Sequence, residues 1–231
     1  MTKRFLIWLS LPVVAAGALA VLAFARPDML RAWNPFAPLA VGDPVTPATR
    51  IKLARADRDP GYCRAALATA GLRTEPIPDG GGDAACPLHQ AVRVEAGRAR
   101  LNSSFPASCP LALAYAMFED HDLQPLAKAR LGTPVAQVSH LGSYACTPGS
   151  HTAAAGDYAK ANALDIAGFI LADGRQIAIK RDWQGSDAPA KAFLHDLRDA
   201  ACRSFGTVEG PDSGAGRAGI LHVAMRSGDC R

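Results

Sequence analysis

The chain is poor in aromatic residues, which make up only 6% of its 231 positions. That is too few for a surface on which bases stack. It has no long basic run either: 25 Lys and Arg face 21 Asp and Glu, and the net charge of +4 is spread along the chain. Both shortages argue against a nucleic-acid partner. There is no internal repeat, so a solenoid or array is excluded. Neither Ser-x-x-Lys nor Gly-x-Ser-x-Gly occurs, and the serine-peptidase routes lack their marks. Gly214 to Gly219 matches G-x-G-x-x-G in letters, but it follows no strand and opens no helix, and the chain ends 12 residues later. A dinucleotide-binding unit does not fit there. Cys86-Pro-Leu-His89 has no second pair to complete a metal site. Glu119-Asp-His-Asp122 has no calcium loop after it and reads as a solvated helix end.

An apolar run from Phe5 to Phe24 follows Lys3 and Arg4. Its length of about 20 residues suits a membrane span better than the shorter core of a signal peptide. Residues 1–26 are therefore expected to be a signal anchor, with Ala23-Phe24-Ala25 as the cleavage site if the segment is a signal peptide instead. Positive charge ahead of the run places the bulk of the chain outside, anchored in the inner membrane and facing the periplasm. Residues 27–50 carry Pro27, Pro35, Pro38, Pro44 and Pro47 and are expected to form an extended, semi-rigid tether. Trp33 is either an anchor at the membrane interface or a side chain packed on the domain.

Residues 51–231 form the expected folded domain, long enough for a core. Its cysteines, Cys63, Cys86, Cys109, Cys146, Cys202 and Cys230, are even in number and all follow the apolar run. In an oxidising compartment they predict up to three disulfides. The pairing stays open, with Cys202–Cys230 favoured because it pins the tail to the helix before it. Helices are expected over Tyr62–Ala70, Cys109–Asp120 behind a Ser108 cap, Gln124–Arg130 and Pro189–Phe205. Strands are expected at Val92–Glu95, Val135–Leu141 and Ile220–Met225, and a hairpin turns at Asp173-Gly174 between Ala163–Ala172 and Arg175–Lys180. Thr74–Asp83 and Thr147–Asp157 read as loops. The predicted class is α+β, a small antiparallel sheet with flanking helices. Asp165 heads the first hairpin strand, where a buried carboxylate needs a partner. His222, near the C-terminus, is the best one.

Several segments together resemble the extensin-like C-terminal domain family of exported bacterial proteins: Gly61-Tyr62-Cys63, Cys109-Pro110, His140–Cys146, Ala161–Phe169, Asp182-Trp183 and Ala201–Asp212. That family is similar to zinc D-Ala-D-Ala peptidases and to the hedgehog signalling domain. The resemblance implies a hedgehog/peptidase-like fold and a zinc site built from a His, an Asp seven residues later, and a late His-x-His. The Asp falls on Asp165 and the last His on His222. The first His falls on Tyr158 and the other late His on Ile220. The acids flanking the late pair fall on Gly219 and Ala224, and an expected Arg on Thr147. His151 is the one residue that could replace a ligand. Tyr158 and Ile220 would line the cleft, and Trp183 either lines it too or is a core anchor with its N–H bonded.

A catalytic zinc needs three protein ligands and an open position. With Tyr158 and Ile220 in ligand places, no catalytic residue is assigned and no cofactor is expected. Asp165 and His222 then form a hydrogen-bonded pair. The expected function is a membrane-anchored, non-catalytic envelope protein that binds peptidoglycan peptides or an envelope protein. Two alternatives stand beside it: an active zinc amidase or carboxypeptidase using Asp165, His222 and His151, and a purely structural envelope protein.

Overall fold

The computed structural model describes residues 27–147, 149, 153–225 and 230. The run Phe5–Phe24, and with it the expected anchor, lies outside the described residues, as does His151. Among the described residues, no helix is long and apolar enough to cross a membrane.

The Pro- and Ala-rich stretch is not extended. It carries helix α1 (Pro27–Trp33) and leads into α2 (Pro47–Ala56). Pro47 opens α2, where its missing N–H leaves nothing unpaired. The stretch also has something to bury: Ala32, Leu39 and Val41 are packed away from solvent. Arg31 pairs with Asp43, Lys52 Nζ donates to the Arg31 carbonyl at 2.7 Å, and Leu39 N–H donates to the Tyr62 hydroxyl at 2.9 Å. Apolar side chains between the prolines, together with these bonds, override the extended preference of proline.

Helix α3 (Pro60–Leu67) is capped by Asp59, which accepts from Tyr62 N–H at 3.0 Å. The region expected as a loop after it holds two short strands, β1 (Arg73–Pro76) and β2 (Gly81–Asp83). β2 pairs with β3 (Cys86–Leu88). β1 lies at the edge of a three-stranded antiparallel sheet with β4 (Ala91–Ala96) and, after the short β5 (Arg100–Leu101), β6 (Phe105–Ser108). An edge strand tolerates Pro76, because its outward side forms no ladder.

Ser108 then caps α4 (Cys109–Phe118) by accepting from Leu111 N–H at 3.2 Å. Every residue from Leu111 to Phe118 is buried, so α4 is the core helix of the domain. It continues through one π-helical turn, Glu119–Leu123, into α5 (Gln124–Leu131), which stops at the left-handed Gly132. Glu119 and Asp122 are buried rather than solvated. The wider turn rotates them inward, where Glu119 accepts from Arg98 N–H at 2.9 Å and Ala99 N–H at 2.8 Å. Asp122 pairs with Arg203.

The second sheet contains β7 (Val135–Gly142) and, after helix α6 (Ala153–Ala159), β8 (Ala163–Leu171) and β9 (Gln176–Ala178). α6 stands where the sequence pattern suggests part of a loop, on an alanine run that favours helix. The hairpin at Asp173-Gly174 is as expected, with Gly174 at φ +87°. A helical turn, α7 (Ile179–Asp182), ends its second arm early and leads to α8 (Ala188–Ala201). The chain closes with β10 (Thr207–Glu209) and β11 (Leu221–Ala224). The order is β10-β11-β8-β7-β5, with β9 also on β8. All pairs are antiparallel except β5 with β7. α8 buries Phe193, Leu194, Leu197 and Ala201, and the Phe193 ring meets Phe169 edge-on at 5.5 Å.

A bulge on β8 sets Ala167 unpaired, between Ile166 opposite His140 and Gly168 opposite Ser139. That extra residue lets Leu164 and Ile166 before it, and Phe169 and Leu171 after it, all reach the same core. Three disulfides tie the elements together: Cys63–Cys109 joins α3 to α4, Cys86–Cys146 joins the β2–β3 hairpin to the segment that follows β7, and Cys202–Cys230 joins the end of α8 to the tail.

Candidate functional site

Asp165 stands directly opposite His222 across the β8–β11 pair. Directly paired residues share a face, so the two side chains meet. Their neighbours Leu164, Ile166, Leu221 and Val223 point the other way, into the core. β10 flanks the site from the far side of β11, with Glu209 opposite His222. The carboxylate and the imidazole are thus held by two continuous ladders, and neither depends on a loop.

α6 adds the third member. The Tyr158 hydroxyl donates to Asp165 Oδ2 at 2.6 Å and lies 3.0 Å from His222 Nδ1. His222 Nδ1 donates to Asp165 Oδ1 at 2.8 Å. These bonds place the imidazole proton on Nδ1. His222 is fully buried, and its Nε2 has no hydrogen-bond partner among the described residues. Burial pushes the Tyr158 phenol well above its ordinary pKa, and the bond to Asp165 and that group's negative charge push it further.

Arg217 is the member that sequence patterns do not reveal. It sits in the Gly-rich segment that matches G-x-G-x-x-G by chance, donates to Glu209 Oε2 at 2.5 Å, and its charge acts on Tyr158 and Asp165. Its only signal in the sequence is a lone Arg among small residues. Its proximity comes from β10 and β11 pairing across a long connection.

The donor set does not fit a zinc ion. Three ligands held at zinc–nitrogen and zinc–oxygen distances around a tetrahedron stand about 3.3 Å from one another. Here the Tyr158 hydroxyl fills the space between Asp165 Oδ2, at 2.6 Å, and His222 Nδ1, at 3.0 Å. Nδ1 carries the imidazole proton, so the one free ligand atom on the ring is Nε2, which has no partner among the described residues. A phenol whose pKa is raised is also a poor source of the phenolate that a metal would require. Among the described residues, no three His, Cys, Asp or Glu side chains are grouped to hold an ion.

The other predicted positions divide. Ile220 is buried at the entry to β11, two residues from His222. Gly219 precedes it at φ +88°, and a Cβ there would come within 2.8 Å of Lys180 Cβ, so an acid at this position is sterically barred. Ala224 is buried between Ala163 and Thr207, while Thr147 is exposed. Trp183 does not line an open cleft. It is buried, its Nε1 donates to Asp212 Oδ2 at 2.8 Å, and its ring lies 4.4 Å from that of His195. Its indole fills the space above Gly210, where even a methyl group would collide.

The conspicuous His140–Cys146 stretch proves to be scaffolding. His140 is buried, contacts the Ser103 carbonyl through Nε2 at 2.8 Å, and packs its ring edge-on to Phe105. Burial lowers its pKa. Ser143 donates to the Pro106 carbonyl. The Tyr144 hydroxyl donates to the Cys86 carbonyl at 2.8 Å and accepts from Asp83 N–H at 2.7 Å. The segment therefore pins the β2–β3 hairpin beside its disulfide.

Fold and site together define a disulfide-stapled α+β domain that carries a Tyr–Asp–His cluster across paired antiparallel strands. Residues 61–231 match the family described as extensin-like protein C-terminus, and the chain belongs to it. No curated protein and no solved structure matches the chain. The expected similarity to zinc peptidases and to the hedgehog domain therefore has no counterpart in these comparisons.

Proposed function

We propose that the chain is a non-catalytic member of its family, anchored in the inner membrane with its domain in the periplasm, where it binds peptidoglycan peptides or an envelope protein without cleaving them. The observation that carries this reading is the Tyr158 hydroxyl, bonded to both Asp165 and His222. The hydroxyl takes the place an ion would need between Asp165 and the protonated Nδ1 of His222, and only His222 Nε2 stays without a partner among the described residues. The three disulfides support an oxidising compartment. The apolar run at residues 5–24 supports the anchor. The resemblance to zinc peptidases of the cell wall nominates peptidoglycan as ligand.

The test is made on the full chain, purified in detergent with its disulfides intact. The expected result is zinc well below one ion per chain, no cleavage of muropeptides, and co-sedimentation with peptidoglycan sacculi. Stoichiometric zinc that disappears in Asp165→Ala, or any muropeptide product, would overturn the reading in favour of a peptidase. Failure to sediment with sacculi would remove peptidoglycan as the ligand and leave a protein partner or a purely structural role.

A further inference from the structure

Seven large apolar side chains are exposed among the described residues, and six of them fall between Met29 and Ile51. Four lie within eight consecutive residues: Met29 is 38% exposed, Leu30 58%, Trp33 59% and Phe36 85%. The cause is the pitch of α1. At 3.6 residues per turn, buried Ala32 faces the domain, which puts Leu30 on the far side and Met29 and Trp33 beside it on one flank, so the three form a continuous face. Arg31 is drawn to the flank by its pair with Asp43. The helix is fastened from beneath, through Lys52 Nζ on the Arg31 carbonyl and the Thr46 hydroxyl on the Ala32 carbonyl. The apolar face is therefore presented on a fixed element of the fold.

We infer that this face is a docking surface for the lipid bilayer, seating the domain on the same membrane that anchors it. The inference rests on the anchor reading above. The apolar run ends at Phe24, nine residues before Trp33. Nine residues span at most about 30 Å when extended and about 14 Å when helical. If Phe5–Phe24 spans the membrane, the face cannot move far from the interface. Its composition suits that place: a Trp ring among aliphatic side chains seats at headgroup depth, and burying each of them from water adds favourable free energy. A protein partner would have to compete with a surface that is permanently adjacent.

The test uses the full chain in phosphatidylcholine vesicles whose acyl chains carry bromine, a short-range quencher of tryptophan. The three tryptophans are Trp8, Trp33 and Trp183. A Trp8→Phe background removes the one in the apolar run, and Trp183, buried inside the domain, serves as the unquenched reference. The expected result is a loss of about half the emission in brominated vesicles, absent when Trp33→Phe is added, with the chain resisting an alkaline carbonate wash. Emission that is unquenched while the chain resists the wash overturns the docking and leaves the anchor reading standing. Unquenched but blue-shifted Trp33 emission means that a second copy or another protein covers the face, which also overturns it. Release by carbonate overturns the anchor reading and the docking with it.

Discussion

A phenol and an imidazole differ at position 158 in length and in what they can hold. The phenol reaches across to Asp165 and His222 and places its hydroxyl between them. An imidazole is shorter by about 2 Å, one metal–ligand bond. Tyr158→His is therefore expected to vacate the space the hydroxyl fills and to supply a nitrogen facing it, with Asp165 and His222 parting by about 0.5 Å to the spacing of two ligands on one ion. Zinc measured by mass spectrometry on the purified variant should rise to about one per chain, where the parent holds little. No rise would mean that the strands do not space Asp165 and His222 for an ion. Tyr158→Phe isolates the hydrogen bond instead. At neutral pH it should lower unfolding free energy by about 1–3 kcal/mol, since it strips a donor from a half-buried carboxylate. The pH dependence has a definite sign. Burial, then Asp165, raise the phenol pKa in the fold, so the folded chain keeps a proton that the unfolded chain releases above about pH 10. The contribution is fully present below that pH and is lost as pH rises through the folded value. The stability gap between parent and Tyr158→Phe, measured by urea titration, should stay constant from about pH 7 to 10 and narrow above it.

The π-helical turn Glu119–Leu123 shows what an element can hide from pattern reading. Written on an ordinary helix, its charged residues continue a solvated face. With one extra residue in the turn, Glu119 swings beneath the β4–β5 connection and accepts from two successive backbone N–H groups, while His121 Nε2 contacts the Val41 carbonyl at 2.6 Å. Burial raises the Glu119 pKa against those bonds. The turn thus joins the N-terminal arm, the first sheet and, through Asp122 and Arg203, the end of α8. Gly97 is the tight point: a Cβ there would lie 2.1 Å from Glu119 Oε2. Gly97→Ala is expected to cost about 1–3 kcal/mol through overpacking. Because the clash is with one side chain, the cost should be smaller when Gly97→Ala is made in a Glu119→Ala background. Equal costs in both backgrounds, read from chemical denaturation, would place the strain in the backbone of the connection instead.

On the scale of the molecule, stability is shared between a main core built on α4 and the larger sheets, a small apolar cluster of Leu88, Ala91 and Ala161, and three covalent ties. Cys202–Cys230 spans 28 residues and closes the β10–β11 region around the site. Removing it with the paired change Cys202→Ser and Cys230→Ser should lower stability by about 3–4 kcal/mol, the loop entropy returned to the unfolded chain. The tail carrying β11 should also loosen, bringing faster amide exchange at His222 and Val223 than at α4. Exchange that rises equally everywhere would show that the tie serves the whole core and not this edge.

Much of this architecture is legible in the amino-acid order. Alternating and helical apolar spacing locates α4, α5, α8, β4, β7, β8 and β11 to within a few residues, because burial on one face imposes those periods. The Asp173-Gly174 hairpin, the Ser108 cap and the Cys202–Cys230 pairing follow from local chemistry. The Asp165–His222 partnership is also expected from the residue types, although only the β8–β11 register makes it a contact. The rest depends on long-range placement. Proline-rich composition argues for an extended arm, and only buried Ala32, Leu39 and Val41 reveal why residues 27–56 fold against the domain. Thr74–Asp83 has no pattern of its own and becomes strand because β4 and β3 offer it edges. Arg217 reaches the site through strand pairing that no spacing rule anticipates. The sequence by itself determined the periodic elements, the oxidised cysteines and the residue types at positions 158, 165 and 222, since these depend on local preference and composition. Only the tertiary structure decided that the Tyr158 hydroxyl lies between Asp165 and His222 within hydrogen-bonding distance of both, because that distance is set by two strand ladders and a helix whose meeting the linear order does not encode.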